Sequence, residues 1–389
     1  MNPEADVYQG ENLVAHLERT NEGTALHFIP NIDLQNGFLA TSIPYQAEPI
    51  QSTSLPSFFL NLLPEGARLE LILQAARNRD DFLELLLKLG WDTIGDVAVV
   101  PHGAPLGEQK AAVPQSKLSE VSFWDLFYQG ISERPDAAIP GVQEKISSST
   151  IAFGIRTEST PSAILKLNPT NFPNLVQNEE FFLRMARACG LEANKATLVH
   201  DRENAPGLLV TRFDRVKEGK SILKFHQEDA CQLLNTAPSN KYHVAMRDIA
   251  DALQRVCTAP TVEILRLLQL YAFSYIIGNG DLHAKNISVL WTKVVRLSPA
   301  YDLLSTLPYP MDQHMALPLD GKNDNFRAAD FTAFGERFGV PKPATETMVD
   351  QMCALVEPWI FHIGLIGFDE KTTERMQQEV ATRIRKLLR

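Results

Sequence analysis

Asp281, Asn286 and Asp302 stand in this 389-residue chain in an order that phosphoryl transfer can use. The stretch Asn279-Gly280-Asp281-Leu282-His283-Ala284-Lys285-Asn286 offers a carboxylate and then an amide five positions later. A short apolar run that reads as a strand follows, then the turn Ser298-Pro299-Ala300-Tyr301 and the second carboxylate, Asp302. Base, metal-holding amide and metal-holding carboxylate is the sequence of groups a phosphoryl-transferring lobe presents. Such chemistry asks for oxygens held in line and for cations that stabilise spread negative charge. Taken singly, Asp281 and Asp302 also suit turns or helix caps, Asn286 a turn, and His283 a packed polar ring. Their order is what favours a site.

The elements that must position these groups follow from hydrophobic periodicity. Ile264, Leu267, Leu268 and Tyr271 mark a helix that ends at Gly278 and Gly280, just before Asp281. Ile151–Ile155 and Ala163–Leu167 read as strands, the second carrying Lys166 between apolar neighbours. A lysine there needs an anionic partner such as substrate phosphate, or an outward-snorkelling side chain. Phe182, Met185, Ala186 and Cys189 mark a helix over 178–190, with Glu179 and Glu180 in its first turn. Those carboxylates either complement the helix dipole or pair with Lys166. The segment 207–215 reads as a strand suited to a hinge, and residues 226–234 as the start of a helix with Asp229 near its amino end.

Earlier in the chain, Leu13–Leu17 and Ala25–Ile29 flank Asn21-Glu22-Gly23, a hairpin signal. Helices are expected near 67–76 and 80–89, then a strand over 95–101, with no catalytic constellation in this first block. Pro and Gly over 101–118 read as a linker. Beyond Asp302, helices are expected near 328–338, 344–361 and 369–388. Composition is that of a globular protein, 44% apolar and 22% charged. A net charge of −10 argues against a broad grip on nucleic acid, which needs a basic surface, but not against DNA contact through a basic partner. The four cysteines are dispersed without a CxxC pair and read as reduced, buried thiols. No secretory signal and no apolar run near the ~20 residues of a membrane span is present, so the expectation is a cytoplasmic protein without a membrane partner.

Eight motifs, in order, resemble the HipA family of bacterial toxin serine/threonine kinases. They are Leu55-Pro56-x-Phe58-Phe59-x-Asn61-Leu62-Leu63-Pro64-x-Gly66, Gly141-Val142-Gln143-Glu144-Lys145, Lys166-Leu167, Asn178-Glu179, Arg212-Phe213-Asp214-Arg215 and Gln227-Glu228-Asp229-x-Cys231-Gln232 together with the loop pair Asp281-x-His283-Ala284-Lys285-Asn286 and Pro299-x-Tyr301-Asp302-Leu303-Leu304-Ser305. The resemblance implies an α+β, bilobal kinase-like fold: a small mixed N-terminal subdomain over 1–118, a β-containing N-lobe over 119–225 and an all-α C-lobe over 226–389. It implies ATP and Mg²⁺ as cofactors. Asp281 would be the catalytic base, with Asn286 and Asp302 holding the metal and Lys166 neutralising phosphate. Gly141, Gln143 and Lys145 would lie at the ATP site, Thr211 and Phe213 would border the adenine, and His283 and Lys285 would complete the nucleotide-binding set.

The function so implied is a serine/threonine protein kinase acting as the toxin of a toxin–antitoxin pair, partnered by a small DNA-binding, HipB-like antitoxin through which alone it meets DNA. Aminoacyl-tRNA synthetases are among the protein substrates the family suggests. A corepressor or scaffold with little kinase activity is the alternative, and a small-molecule kinase would share the same machinery. One departure stands out. The family commonly carries a serine three residues before the glycine of the Gly-x-Gln-x-Lys loop, and its autophosphorylation is linked to inactivation; Ala138 stands there in this chain. Either that control is lost, or Ser132 or a hydroxyl within Ser147–Thr150 replaces it, or a laboratory substitution removed it.

Overall fold

Alternating apolar residues build the first layer. In the computed structural model, which describes residues 4–34, 36–65, 69, 81–106, 115–131, 151–155, 162–219 and 221–389, strands Asn12–Thr20 and Gly23–Phe28 pair with Thr20 opposite Gly23. Asn21 and Glu22 therefore make the expected turn. These strands join Ala5–Gln9, Val97–Pro101 and Ile50–Ser52 in a five-stranded antiparallel sheet with Ala5–Gln9 between Asn12–Thr20 and Val97–Pro101. Ala15, Leu17, Leu26 and Val99 point into one core with Phe58 and Phe59 of the short helix Ser57–Leu60 and with Leu83 and Leu86 of helix Phe82–Leu89. The helix expected over 67–76 lies outside the described residues, apart from Leu69.

A second antiparallel sheet runs in the order Ala196–His200, Pro206–Thr211, Ala163–Leu167, Ile151–Ile155. Both faces are covered, which explains the nearly unbroken apolar reading of these strands. Leu165, Leu167, Phe153 and Leu209 meet Phe123 and Phe127 of helix Phe123–Ile131. On the other face Ile164, Leu208 and Val210 meet Val176 of helix Leu175–Ala188. Side chains alternate along a strand, so Lys166 shares the face of Ile164 and lies under that helix.

The largest core surrounds helix Pro260–Ile277, which buries Ile264, Leu267, Leu268, Tyr271, Tyr275 and Ile276 against helices Met246–Val256, Ala328–Arg337, Lys342–Val356 and Glu370–Leu387. Gly278 ends it in the left-handed region at φ 71°, where a Cβ would meet the Leu307 side chain at 2.5 Å. The stretch Lys342–Ile366 is long and apolar enough to cross a membrane by composition. It contains Glu346, Asp350 and Glu357 and places Met348, Val349, Met352 and Val356 in this core.

The mixed, bilobal reading of the fold agrees with this architecture, with one correction. The C-lobe is not all-α. It contains a three-stranded antiparallel sheet of His226–Asp229, Ser288–Trp291 and Val295–Leu297. Residues 226–229, expected in a helix, instead pair with the strand that follows Asn286, and the helix is confined to Ala230–Leu233. Asp229 caps it, accepting from the Gln232 amide at 2.9 Å while the Gln232 side chain accepts from the Asp229 amide. The dipolar start of a helix and the end of a strand thus meet at one residue, which periodicity alone blurred.

Candidate active site

The end of helix Pro260–Ile277 delivers Asp281. Asn279 is wholly buried, and its side-chain oxygen accepts the Asp281 amide at 3.1 Å. Gly280 donates to Thr306 Oγ1 at 3.0 Å, and a Cβ on it would strike the Asp312 carbonyl at 2.3 Å. The Asp281 carbonyl accepts the His283 amide at 2.8 Å and the Asn286 side-chain amide at 3.0 Å. Asn286 therefore folds the loop onto itself through its side-chain nitrogen. The Asp281 carboxylate accepts one bond, from the Tyr242 hydroxyl at 2.7 Å.

The N-lobe delivers the cation. Lys166 Nζ donates to Glu179 at 2.7 and 2.9 Å and also meets Asp302 Oδ1. Glu179 is thus the partner of Lys166. Its presence on the covered face of helix Leu175–Ala188 is not a dipole effect, and the snorkelling alternative for Lys166 is excluded by 7% exposure. Asp302 has a left-handed backbone, φ 52°, and stands two residues after Ala300, whose amide and carbonyl are both held by the 192–194 turn.

Charge at the site is lopsided. Burial pushes the Asp281 carboxyl above its ordinary value, only partly offset by Tyr242 and Lys241, and Asp302 is near enough to raise it further. Burial opposes charge on Asp302 as well, but Lys166 outweighs it and holds that carboxyl low. Burial would lower Lys166, yet Asp302 and Glu179 together raise it. Glu179, buried and facing a second carboxylate, is pushed up to about 7 despite Lys166. Burial pushes His283 down to about 3, so its ring is neutral; it packs edge-on against Tyr242, centroids 5.2 Å apart.

Other expected residues are distributed differently. Phe213 stacks obliquely on Tyr301, centroids 5.6 Å apart, next to Asp302, while Thr211 ends its strand with its amide on the Lys195 carbonyl at 3.0 Å. The charged side chains flanking Phe213 look elsewhere. Arg212 and Arg215 converge on Asp214 at 2.6 and 2.8 Å and on the Thr93 carbonyl at 2.7 and 2.8 Å, and Asp214 accepts the Gly95 amide at 2.8 Å. They fasten the N-terminal subdomain. Lys285 is not brought to the cluster: its ammonium lies 2.8 Å from Asp229 and 2.9 Å from Asn61 Oδ1. Gly141, Gln143, Lys145 and the Ala138 loop lie outside the described residues.

Sequence reasoning missed Tyr242, Lys241 and Glu65. Lys241 pairs with Glu65 at 2.9 Å and its carbonyl accepts the Ala284 amide at 3.1 Å, so a polar stretch without periodicity becomes a wall of the loop. Nothing in the spacing of residues 236–243 signals this. Asn61 and Glu65 stand within the span of a quoted motif, but their partners, Lys285 and Lys241, lie 224 and 176 residues away.

The HipA N-terminal domain family matches residues 5–100 and the HipA-like C-terminal domain family matches residues 137–360. The serine/threonine-protein kinase toxin HipA of Shewanella oneidensis is 28% identical over 372 residues, 87% of this chain and 84% of that one. Y4mE of Sinorhizobium fredii, provisionally named a kinase, is 29% identical over 81% of this chain and 80% of its own length. Among solved structures, HipA of Shewanella oneidensis in a complex with HipB and operator DNA superposes with a TM-score of 0.76 at 22% identity, covering 98% of this chain and 97% of that one, a likeness of fold. Since the C-terminal family match alone takes in more than half of the sequence, the chain belongs to the HipA-like family.

Proposed function

We propose that this chain is an ATP- and Mg²⁺-dependent serine/threonine protein kinase, the cytoplasmic toxin of a toxin–antitoxin pair with a small DNA-binding, HipB-like antitoxin. The observation that carries the reading is the buried ammonium of Lys166 shared between Glu179 and Asp302, beside a loop that presents Asp281. The donor set fits a nucleotide with a hard divalent cation. Asp281, Asp302 and Glu179 set three carboxylates against one buried ammonium, and Asn286 adds a neutral oxygen, all ligands that Mg²⁺ prefers. Asn286 and Asp302 would hold the metal, which supplies charge neutralisation at the phosphates.

The remaining steps belong to the chain. Lys166, fixed by Glu179, orients phosphate oxygens and stabilises the charge that spreads over them. Asp281, its carboxyl raised above the ordinary value by burial, accepts the proton of a serine or threonine hydroxyl as it attacks. Phe213 and Tyr301 make an apolar edge beside Asp302 on which an adenine can rest. The test is transfer of the γ-phosphate of ATP to protein, beginning with aminoacyl-tRNA synthetases and then a whole proteome. Asp281→Asn lowers transfer by roughly 10³-fold or more, the scale lost with one catalytic group. Near-normal transfer by Asp281→Asn overturns the assignment. Tight ATP–Mg²⁺ binding by the wild-type chain with no phosphorylated acceptor supports a corepressor instead.

A further inference from the structure

On the polar face of the N-terminal sheet, three ligand-type side chains from neighbouring strands converge. Asp6, in the strand that lies between two others, stands directly opposite His16 on one side and Val100 on the other. His16 Nδ1 lies 2.7 Å from Asp6 Oδ1, and His102 Nδ1, from the turn just past strand Val97–Pro101, lies 2.8 Å from the same oxygen. The second carboxylate oxygen is anchored by the Gly103 amide at 2.8 Å. Gly103 adopts φ 76°, which lets the chain double back at this point. The ligand atoms of all three side chains fall within 4.8 Å of one another.

We propose that Asp6, His16 and His102 form a binding site for Zn²⁺ or a divalent transition ion of like preference, a site separate from the kinase machinery. Two imidazoles and a carboxylate are a recurrent zinc donor set, with solvent in the fourth position. Metal–ligand bonds of about 2.0 Å in a tetrahedron separate donor atoms by roughly 3.3 Å, so each imidazole need move outward by only about half an ångström. His102, half exposed at a turn, has room to do so, while Asp6 is 4% exposed and fixed. The Gly103 amide is the outer partner that orients the ligating carboxylate. A bound ion would tie three adjacent strands, or their immediate continuation, through one point.

The competing description is a carboxylate that accepts hydrogen bonds from two imidazoles and binds nothing. Titrating the chelator-stripped full chain with Co²⁺, in excess Mg²⁺ to occupy the proposed kinase site, separates the two. The expected result is stoichiometric ligand-field absorption in the visible without a thiolate charge-transfer band, displaced by Zn²⁺, and a Zn²⁺-dependent rise in melting temperature. His102→Gln, at a half-exposed turn, should keep its circular dichroism and phosphotransfer while losing at least tenfold in Co²⁺ affinity. No absorption at millimolar Co²⁺ in the wild-type chain, or equal affinity in His102→Gln, overturns the proposal. Neither result depends on whether the chain transfers phosphate.

Discussion

The Tyr242 hydroxyl donates to Asp281 Oδ1 at 2.7 Å, occupying the carboxylate that the proposed mechanism needs as a base. That bond lowers the pKa of a carboxyl which burial raises. A base acts only when ionised, so activity is lost as pH falls through its pKa. Tyr242→Phe removes the restraint, and the acidic limb of the kcat/KM profile should move to higher pH, with less than about a tenfold change on the alkaline plateau. A pH–rate profile with a verified acceptor checks this. An unmoved limb means that Tyr242 has no bearing on the proton acceptor.

Glu179 holds Lys166 from beneath while Asp302 holds it from the site. With Glu179→Ala the ammonium keeps only Asp302, the partner that would also serve the metal in the proposed mechanism. Transfer should fall by roughly 10²-fold, on the scale of losing a positioned charge, with the loss mainly in kcat. Glu179→Gln, which keeps the shape and one hydrogen bond, should recover part of it. Steady-state kinetics of both variants read this out, and equal, wild-type-like rates would show that Asp302 suffices.

His226 is enclosed by Asp96 at 2.7 Å and Glu228 at 3.0 Å, and Glu228 in turn takes the Thr41 amide and hydroxyl. Burial would lower its pKa, but the two carboxylates raise it from 6.5 to about 9. A raised folded-state pKa means that the native chain binds the proton more tightly than the unfolded one. The resulting stability is complete below 6.5 and is lost as pH rises through 9. Urea unfolding at pH 6 and pH 9.5 should therefore differ by on the order of 3 kcal/mol more in the wild type than in His226→Gln.

Lys285 separates a nucleotide role from a structural one. Its partners are Asp229 and Asn61, so Lys285→Met should leave the KM for ATP within about twofold. It leaves a buried carboxylate and a buried amide without their cation, a loss of about 3 kcal/mol. Burial already raises the Asp229 carboxyl, and part of the loss should be recovered at acid pH, where that group takes a proton. A weakened ATP KM with unchanged urea midpoint would return Lys285 to the nucleotide.

Local patterns carried the elements and the residues fixed by them. Strands Ile151–Ile155 and Ala163–Leu167 fall where apolar runs and turns put them. Gly278 ends its helix as its residue type demands. The pairing of Lys166 with Glu179 needed the fold, since two alternatives for each were equally consistent with local sequence. Long-range polar contacts were out of reach altogether. Tyr242 meets Asp281 across 39 residues, and Lys285 meets Asn61 across 224, with no periodicity to announce either. Arg212-Phe213-Asp214-Arg215 shows the same limit: one motif serves two surfaces, its ring toward Tyr301 and its charges toward residues 93–95.

Asp302 stands at φ 52°, in a conformation that most side chains resist and that Asn and Asp tolerate. Alanine there would remove a carboxylate and add backbone strain at once, so an inert alanine variant would say nothing about which change silenced it. Asparagine keeps the turn and the side-chain shape and deletes only the charge. The geometry of one peptide thus chooses the control protein for every experiment that needs an inactive but intact chain.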